Sequence, residues 1–387
     1  MRPQKLLLLS VSAGAGHVRA AEALRAQTEL SYPEVEVMHL DLMEWVPKVF
    51  RQLYNDSFLY VVEKQPELWG YLYGRTDRPK DGSKFEVMRK AVERVNTVRF
   101  MKVLRDLNPD QIICTHFLPA QLLSRKIRKG MFKLPTWVQV TDFDVHRLWI
   151  HTHLTGYFAA SEEVAYRMKD RGIDASSIEV TGIPIMPQFS QSFDKKRIAQ
   201  EMGINPNKTI LLLMAGGAGV GAGMGGSGLD QTAARLLSMQ DDFQIIALAG
   251  KNEKMLHNLV ELKSAFPNRL FPQGFTKTIE KLMAISDIAV TKPRGLTTSE
   301  CLAMGLPMVL VNPIPGQEER NADYLLENGA ALKASDSAGL EFRVKALMQN
   351  PKKLMQLRNN AKALGRPDAA LHVLEKVLGL VVGKSRL

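Results

Sequence analysis

A chain of 387 residues is long enough for two domains of ordinary size, each with its own core. Its 45% hydrophobic and 24% charged residues exclude a disordered or disulfide-built protein, and Cys114 and Cys301 stand far apart in no C-x-x-C arrangement, which speaks against a thiolate metal site and fits a reducing cytoplasm. The formal net charge of +11 implies an anionic partner, with nucleic acid, an acidic membrane surface and phosphorylated substrates as the classes to separate.

The basic start, Met1 to Lys5, imitates a signal peptide, but its short apolar run leads into Gly14, Gly16 and His17, so Leu6 to Ser10 reads as a first buried strand. Ser12 to His17 follows as a tight loop, Ala20 to Leu30 as a helix and Val35 to Leu40 as a second strand. This βαβ opening invites the dinucleotide fingerprint G-x-G-x-x-G with Asp41 as its acid, yet Arg19 stands where the third glycine belongs. His17 at the helix start has two readings. It packs or caps, or it serves as a general base, because a helix amino terminus disfavours protonation and keeps the imidazole neutral near pH 7.

Asp41 to Lys90 is aromatic and basic, with Phe50, Tyr54 and Phe58 spaced every four residues. That spacing fits a core-facing helix stripe; the alternative is a surface that dips into anionic lipid. Gln111 to Cys114 reads as a strand ending at Thr115-His116, and the basic helix region Arg125 to Lys129 leads to a strand from Thr136 to Val140. The next run, Thr141-Asp142-Phe143-Asp144-Val145-His146-Arg147-Leu148-Trp149, places Asp142 and His146 at a strand end, as caps of a turn or as site residues. With Asp144, His151 and His153 they suggest a metal cluster, but no H-x-x-x-H pair or cysteine partner accompanies them. After the segments beginning at Tyr157 and Glu179, the break at Ile183-Pro184-Ile185-Met186-Pro187 sets a domain boundary: 1–185 form the first domain, 193–365 the second, and 366–387 a terminal helix packing back across both.

The second half restarts with the strand Thr209 to Met214 and a loop, Gly216 through Gly228, that includes Gly217 and Gly219. Thr209 to Leu229 is uncharged, but its eight glycines make a poor membrane helix; they suit a loop whose bare N–H groups receive phosphate, and no G-K-[ST] follows to make it a Walker loop. Helices near Leu229 to Met239 and Glu253 to Ala265 and strands at Gln244 to Ala249 and Arg269 to Phe271 lead into Gly274 to Ala322. There the buried runs Ile288 to Val290 and Met308 to Val311 alternate with helical patterns, giving two turns of a parallel α/β layer. Thr291, Lys292 and Thr297 to Glu300 follow one strand, and Gln317 to Asn321 the other, at the ends where open α/β sheets bind ligands. Glu300 is expected to open a helix after Thr297-Thr298-Ser299, capping it or accepting hydrogen bonds from both hydroxyls of a ribose.

The 274–322 run resembles the sugar-donor half of the GT-B glycosyltransferases, in particular the monogalactosyldiacylglycerol synthase and diacylglycerol glucosyltransferase family. Two further stretches resemble the same family: the G-x-G-H turn into an alanine-rich helix (Gly14, Gly16, His17, Ala20, Ala21) and T-D-x-x-x-H-x-x-W from Thr141 to Trp149. The resemblance implies a GT-B fold, two doubly wound Rossmann-like α/β domains facing across a cleft. It implies that Phe275 and Thr276 face the uracil, that Glu300 holds the ribose, that Gln317 and Glu318 meet the sugar, and that Asn321 supports their loop. Lys292, Thr297, Thr298, Gly217 and Gly219 complete that sugar-donor site. His17 is the implied base, with Asp142 and His146 at the rim orienting the acceptor; His116, Asp142 and His146 are the alternative bases. Relatives usually carry glycine at the position of Arg294, which either adds a cation near the diphosphate or displaces the loop.

The implied reaction is inverting transfer of glucose or galactose from UDP-glucose or UDP-galactose to diacylglycerol, giving a β-glycosyl-diacylglycerol, with no cofactor and no metal ion. The implied place is cytoplasmic, peripheral at the inner face of the cell membrane, on an anionic membrane surface. Nucleic acid is not an expected partner, because no helix-turn-helix, zinc finger or RNA-binding motif is present. The rival readings are a GT-B enzyme with a soluble acceptor, a nucleotide-sugar epimerase, and a non-enzymatic UDP-sugar sensor.

Overall fold

The computed structural model describes residues 4–12, 14–45, 97–214 and 228–379. The aromatic and basic run beyond residue 45, and Gly217 and Gly219 of the glycine loop, lie outside the described residues. The chain divides into two compact units: Met1–Pro187 with Ile314–Gln317 and Pro367–Leu387, and Gln188–Pro313 with Glu318–Arg366.

In the first unit, β1 (Lys5–Ser10), α1 (Ala15–Ser31), β2 (Glu36–Asp41), α2 (Thr97–Leu107), β3 (Gln111–Cys114), α3 (Phe117–Arg128), β4 (Thr136–Gln139), β5 (Gly156–Ala159), α4 (Glu162–Asp170) and β6 (Ile178–Val180) follow in order. The described strands form one parallel sheet, β2-β1-β3-β4-β5-β6. Leu6 to Leu9, Ile112 to Cys114 and Tyr157 to Ala159 are buried, the near-continuous apolar runs of strands covered on both faces. The chain leaves β1 outward to β2 and returns past it to β3, so the direction of winding reverses between β1 and β3. In open α/β sheets ligands bind at such a reversal, beyond the carboxyl ends of the strands.

α1 begins at Ala15, five residues before the helix start read from sequence. Only Gly14 needs the left-handed backbone (φ 127°), as the residue just before the helix, whereas Ala15 and Gly16 are already helical. His17 therefore stands in the first turn of α1. The carboxyl-terminal helix, Ala369–Leu378, groups with this unit and shares a core with it: Val373, Leu374 and Val377 pack with Leu6, Leu8, Ala21 and Leu24, and Lys376 pairs with Glu179.

The second unit contains α5 (Lys195–Glu201), β7 (Thr209–Met214), α6 (Leu229–Leu237), β8 (Phe243–Gly250), α7 (Glu253–Lys263), β9 (Leu270–Gly274), α8 (Ile279–Ile285), β10 (Ile288–Thr291), α9 (Gly295–Ala303), β11 (Met308–Val311), α10 (Gln317–Glu327) and β12 (Ala331–Ala334), then α11 (Ser337–Met348) and α12 (Pro351–Leu364). Its described strands are all parallel, in the order β12-β11-β10-β7-β8-β9, and the winding reverses between β7 and β10. Leu211, Leu213, Ile245, Val290 and Val309 lie at the centre of one core on this sheet, closed by Leu229, Ala233 and Leu236 of α6. Met214 ends β7 and Lys292 follows β10, so the ends of these two strands flank the reversal.

One sequence-based expectation is corrected here. α9 starts at Gly295 with Arg294 as its cap residue, so Thr297 to Glu300 are helical and Glu300 sits in the second turn. At that depth its carboxylate is past the free N–H groups of the helix start, which removes the capping role.

Candidate active site

Three side chains from three neighbouring strand ends meet above the first sheet. His17 comes from α1 just beyond β1, His116 directly after β3, and Trp149 from the connection after β4. The His17 and His116 rings are edge to face, with centroids 4.5 Å apart, and Trp149 lies 6.0 Å from the first and 6.1 Å from the second. Phe117 completes the cluster 4.2 Å from His116.

Hydrogen-bond chemistry fixes the proton on His17. Its Nδ1 lies 3.0 Å from the carbonyl oxygen of Thr115, an atom that only accepts, so Nδ1 carries the hydrogen and Nε2 is left with its lone pair. Thr141 Oγ1 lies 2.9 Å from the same Nδ1, and the Thr115 hydroxyl donates back to His17 O at 2.9 Å, tying α1 to the end of β3. The surrounding protein, by excluding water, pushes the pKa of His17 down to about 4, against a smaller upward pull from the Thr115 hydrogen bond. The imidazole is thus neutral throughout the physiological range, with Nε2 free to take a proton.

His146 and His116 are held in the opposite sense. His116 is the cap residue of α3 and its Nδ1 accepts the Leu118 N–H at 3.1 Å; His146 caps the short turn Arg147–Trp149 and its Nδ1 accepts the Leu148 N–H at 3.2 Å. A neutral imidazole that accepts at Nδ1 carries its hydrogen on Nε2, which makes both residues hydrogen-bond donors there and poorly placed as bases. Burial and the nearby positive form of His17 hold the His116 pKa well below its ordinary value. Asp142 is buried, and Gln317, which groups with this unit, donates from Nε2 to its Oδ2 at 2.6 Å. Asp144 faces Arg167, with 3.6 Å from Nε to Oδ1. Among the described residues no three His, Cys, Asp or Glu side chains converge as metal ligands. Both thiols are buried, and burial pushes Cys114 and Cys301 far above the ordinary thiol pKa.

The residues that the resemblance assigns to the sugar donor collect, among the described residues, at the carboxyl ends of β9, β10 and β11. Phe275, just after β9, is 61% exposed, an unusual position for a large apolar ring, and Lys251 Nζ stands 5.2 Å from its centroid. Thr276 accepts from the Thr278 N–H at 3.0 Å and fixes the turn that follows. Glu300 is buried at 7% exposure, close enough to Cys301 for its charge to raise that thiol further. Thr297, three residues earlier and one turn along the same helix, is half-buried, whereas Thr298 is fully enclosed. Arg294 Nε pairs with Glu318 Oε1 at 3.2 Å, and Asn321 Nδ2 donates to Pro293 O at 3.0 Å, so α10 braces the turn between β10 and α9. The resemblance assigned Glu318 to the sugar and left Arg294 as either a cation near the diphosphate or a residue that displaces the loop; the geometry makes the two side chains partners. The side chain of Lys292, at the same turn, is half-buried.

The acid limb of the pH profile follows from the His17 environment. With His17 as the expected base, which must be unprotonated, a folded-state pKa lowered from 6.5 to about 4 means that protonation removes it only as pH falls toward 4. kcat/KM measured from pH 4 to 8 is expected to hold through pH 6.5. An acid limb centred near 6.5 would place the base elsewhere.

Residues 17–185 match the family model for monogalactosyldiacylglycerol (MGDG) synthase, and residues 229–364 match the model for glycosyl transferases group 1. Among curated relatives, the processive diacylglycerol beta-glucosyltransferase of Bacillus licheniformis is 29% identical over 379 residues, which cover 97% of this chain and 94% of that protein. Among solved structures, MnaA of S. aureus in complex with UDP superposes with a TM-score of 0.63 at 12% identity, covering 98% of each chain. MurG of Acinetobacter baumannii superposes with a TM-score of 0.62 at 16% identity, covering 97% of this chain and 100% of that one. The two family matches fall on the two compact units in order, one on the imidazole cluster and the other on the sugar-donor residues. The chain is a UDP-sugar-dependent glycosyltransferase of GT-B fold, similar over residues 17–185 to monogalactosyldiacylglycerol synthase and over nearly its whole length to a diacylglycerol beta-glucosyltransferase.

Proposed function

We propose that this enzyme transfers a hexose from a UDP-sugar to the free hydroxyl of diacylglycerol by a single inverting displacement. The observation that carries the mechanism is the Thr115 carbonyl on His17 Nδ1, which leaves Nε2 as a neutral base. The acceptor hydroxyl gives its proton to Nε2 as its oxygen bonds to the anomeric carbon, and the bond from that carbon to UDP breaks on the opposite face, giving the β-glycoside. A base with a pKa near 4 takes the proton only once the forming bond has made the hydroxyl strongly acidic, so proton transfer is late.

Phe275 stacks on the uracil and Glu300 receives the ribose hydroxyls. Charge on the departing UDP is met by backbone N–H groups of the glycine loop and of the α9 start, with no metal ion. Glucose is the first sugar to test, because the B. licheniformis relative is named for it; galactose is the second. The lipid acceptor and the net charge of +11 support a peripheral position on the anionic inner face of the membrane. No helix among the described residues is long and apolar enough to cross one.

Incubating the protein with vesicles of anionic lipid and diacylglycerol, and with radiolabelled UDP-glucose or UDP-galactose, tests lipid product and surface together. The expected result is labelled glycosyl-diacylglycerol on thin-layer plates, with mono- and oligoglycosylated lipids resolved. The enzyme is expected to pellet with these vesicles and to leave them as salt rises, since each cation near such a surface contributes about 1 kcal/mol within a Debye length of about 8 Å. Sugar transfer only to soluble acceptors would replace the lipid reading. Equal pelleting with neutral vesicles at all salt concentrations would remove the electrostatic one.

A further inference from the structure

The two edge-to-face imidazoles of the first unit carry their protons on opposite nitrogens. His17 Nδ1 faces a carbonyl and His116 Nδ1 faces an N–H, so one ring has a lone pair at Nε2 and the other has a hydrogen there. Neither Nε2 has a protein partner among the described residues, and neither is a buried unpaired atom of the kind that His151 Nε2 is. Capping alone does not account for this. A serine or aspartate caps α3 as well as an imidazole does, without placing a second ring 4.5 Å from the base. His116 is 3% exposed, which leaves an N–H group available in a mostly water-free place, where a substrate oxygen that accepts it gains more than it would in water.

We propose that His116 is an acceptor-binding residue: its Nε2–H donates a hydrogen bond to an oxygen of the acceptor while the acceptor hydroxyl donates to His17 Nε2. The pair thus presents one hydrogen-bond donor and one acceptor to the polar end of a glycerolipid, orienting the hydroxyl before it attacks. Only one proton moves, from that hydroxyl to His17. The hydrogen on His116 stays on its Nε2 throughout, because moving it would require Nδ1 to release the Leu118 N–H. The inference rests on the reading of His17 as base.

Two substitutions separate this role from capping. An asparagine side chain places its oxygen where Nδ1 stands and so keeps the cap, but it lacks a group at the Nε2 position; a glutamine side chain places an amide N–H near Nε2 and caps poorly. His116→Asn is therefore expected to melt close to the unsubstituted protein and to lose on the order of 10–10²-fold in kcat/KM for diacylglycerol, the size of one hydrogen bond to substrate. His116→Gln is expected to melt lower and yet transfer faster than His116→Asn, with UDP affinity unchanged in both. Equal rates in the two variants, or His116→Asn above His116→Gln, would overturn the inference. Should His116→Gln not fold, nitrogen-detected imidazole spectra of the unsubstituted protein decide: hydrogen on His116 Nε2 and on His17 Nδ1 supports the pair, and hydrogen on His116 Nδ1 overturns it. His17→Ala measured in the same assay keeps the two readings apart. Full transfer by that variant sinks the base assignment whatever His116 does, whereas loss there with equal His116 variants sinks only the role of His116.

Discussion

His17→Ala is expected to lower turnover by roughly 10²–10⁴-fold while leaving UDP affinity nearly intact. The imidazole makes no contribution to binding UDP in this reading. It sits in the amino-terminal unit, and the hydrogen bond that its Nε2 accepts from the acceptor hydroxyl strengthens into full proton transfer only as the glycosidic bond forms. The loss should therefore fall mainly on kcat and on kcat/KM with it, the pattern of an interaction far stronger in the transition state than in the ground state. The unfolding temperature should fall modestly, because the Thr115 Oγ1 bond to the His17 backbone remains while Thr115 O and Thr141 Oγ1 lose the ring nitrogen they share. Initial rates with a calorimetric titration of UDP check both parts. A variant that no longer binds UDP would overturn the division of labour between the two units. A fully active one would require another base, and the tautomers of His116 and His146 make neither a ready substitute.

The parallel α/β strands, and the polar residues that follow them, were legible in the sequence because the signals were local. Leu6 to Leu9 and Ile288 to Val290 are unbroken apolar runs, and a parallel sheet covered on both faces demands that pattern. Polar residues just past such runs fall at the carboxyl edge by construction, which is why His17, Thr141 and Lys292 lie at strand ends as read. Helix starts were less legible. Gly14 and Gly16 look alike in sequence, yet only Gly14 takes a positive φ, and the helix absorbs the second glycine and brings His17 into its first turn. The same effect displaced Glu300: Gly295 is a weak helix former, but as a first helical residue it costs little, and α9 begins five residues before Glu300.

What the sequence could not show are the pairings across long separations. Asp142 with Gln317, Arg294 with Glu318 and Asn321 with Pro293 link residues that are 175, 24 and 28 positions apart, and no periodicity encodes them. The tautomers are of the same kind. His116 and His146 each stand two residues before the N–H they accept, a spacing that also fits an unengaged side chain, so only the bond itself reveals which nitrogen holds the hydrogen.

Glu300→Ala is expected to fail differently from His17→Ala, by weakening UDP itself by roughly 2–5 kcal/mol, the range for a lost charged hydrogen-bonding partner. The helical position sets the magnitude. A carboxylate at 7% exposure is largely withdrawn from water, so a ribose hydroxyl that reaches it meets an acceptor with few competing water contacts. Thr297 lies one turn earlier on α9, half-buried on the same side as Glu300. Because the ribose is held alike before and during transfer, kcat at saturating UDP-sugar should fall far less than affinity, the signature of uniform binding. Glu300→Gln sharpens the test, since it keeps the shape and one accepting oxygen but removes the charge, and should lie between the two in affinity. Calorimetry of UDP and of uridine into each folded variant reads the effect directly, and the loss should appear with both ligands because the ribose is common to them. A Glu300→Ala variant that binds UDP normally would move the ribose site off α9. A loss seen with UDP and absent with uridine would place the carboxylate's influence at the diphosphate.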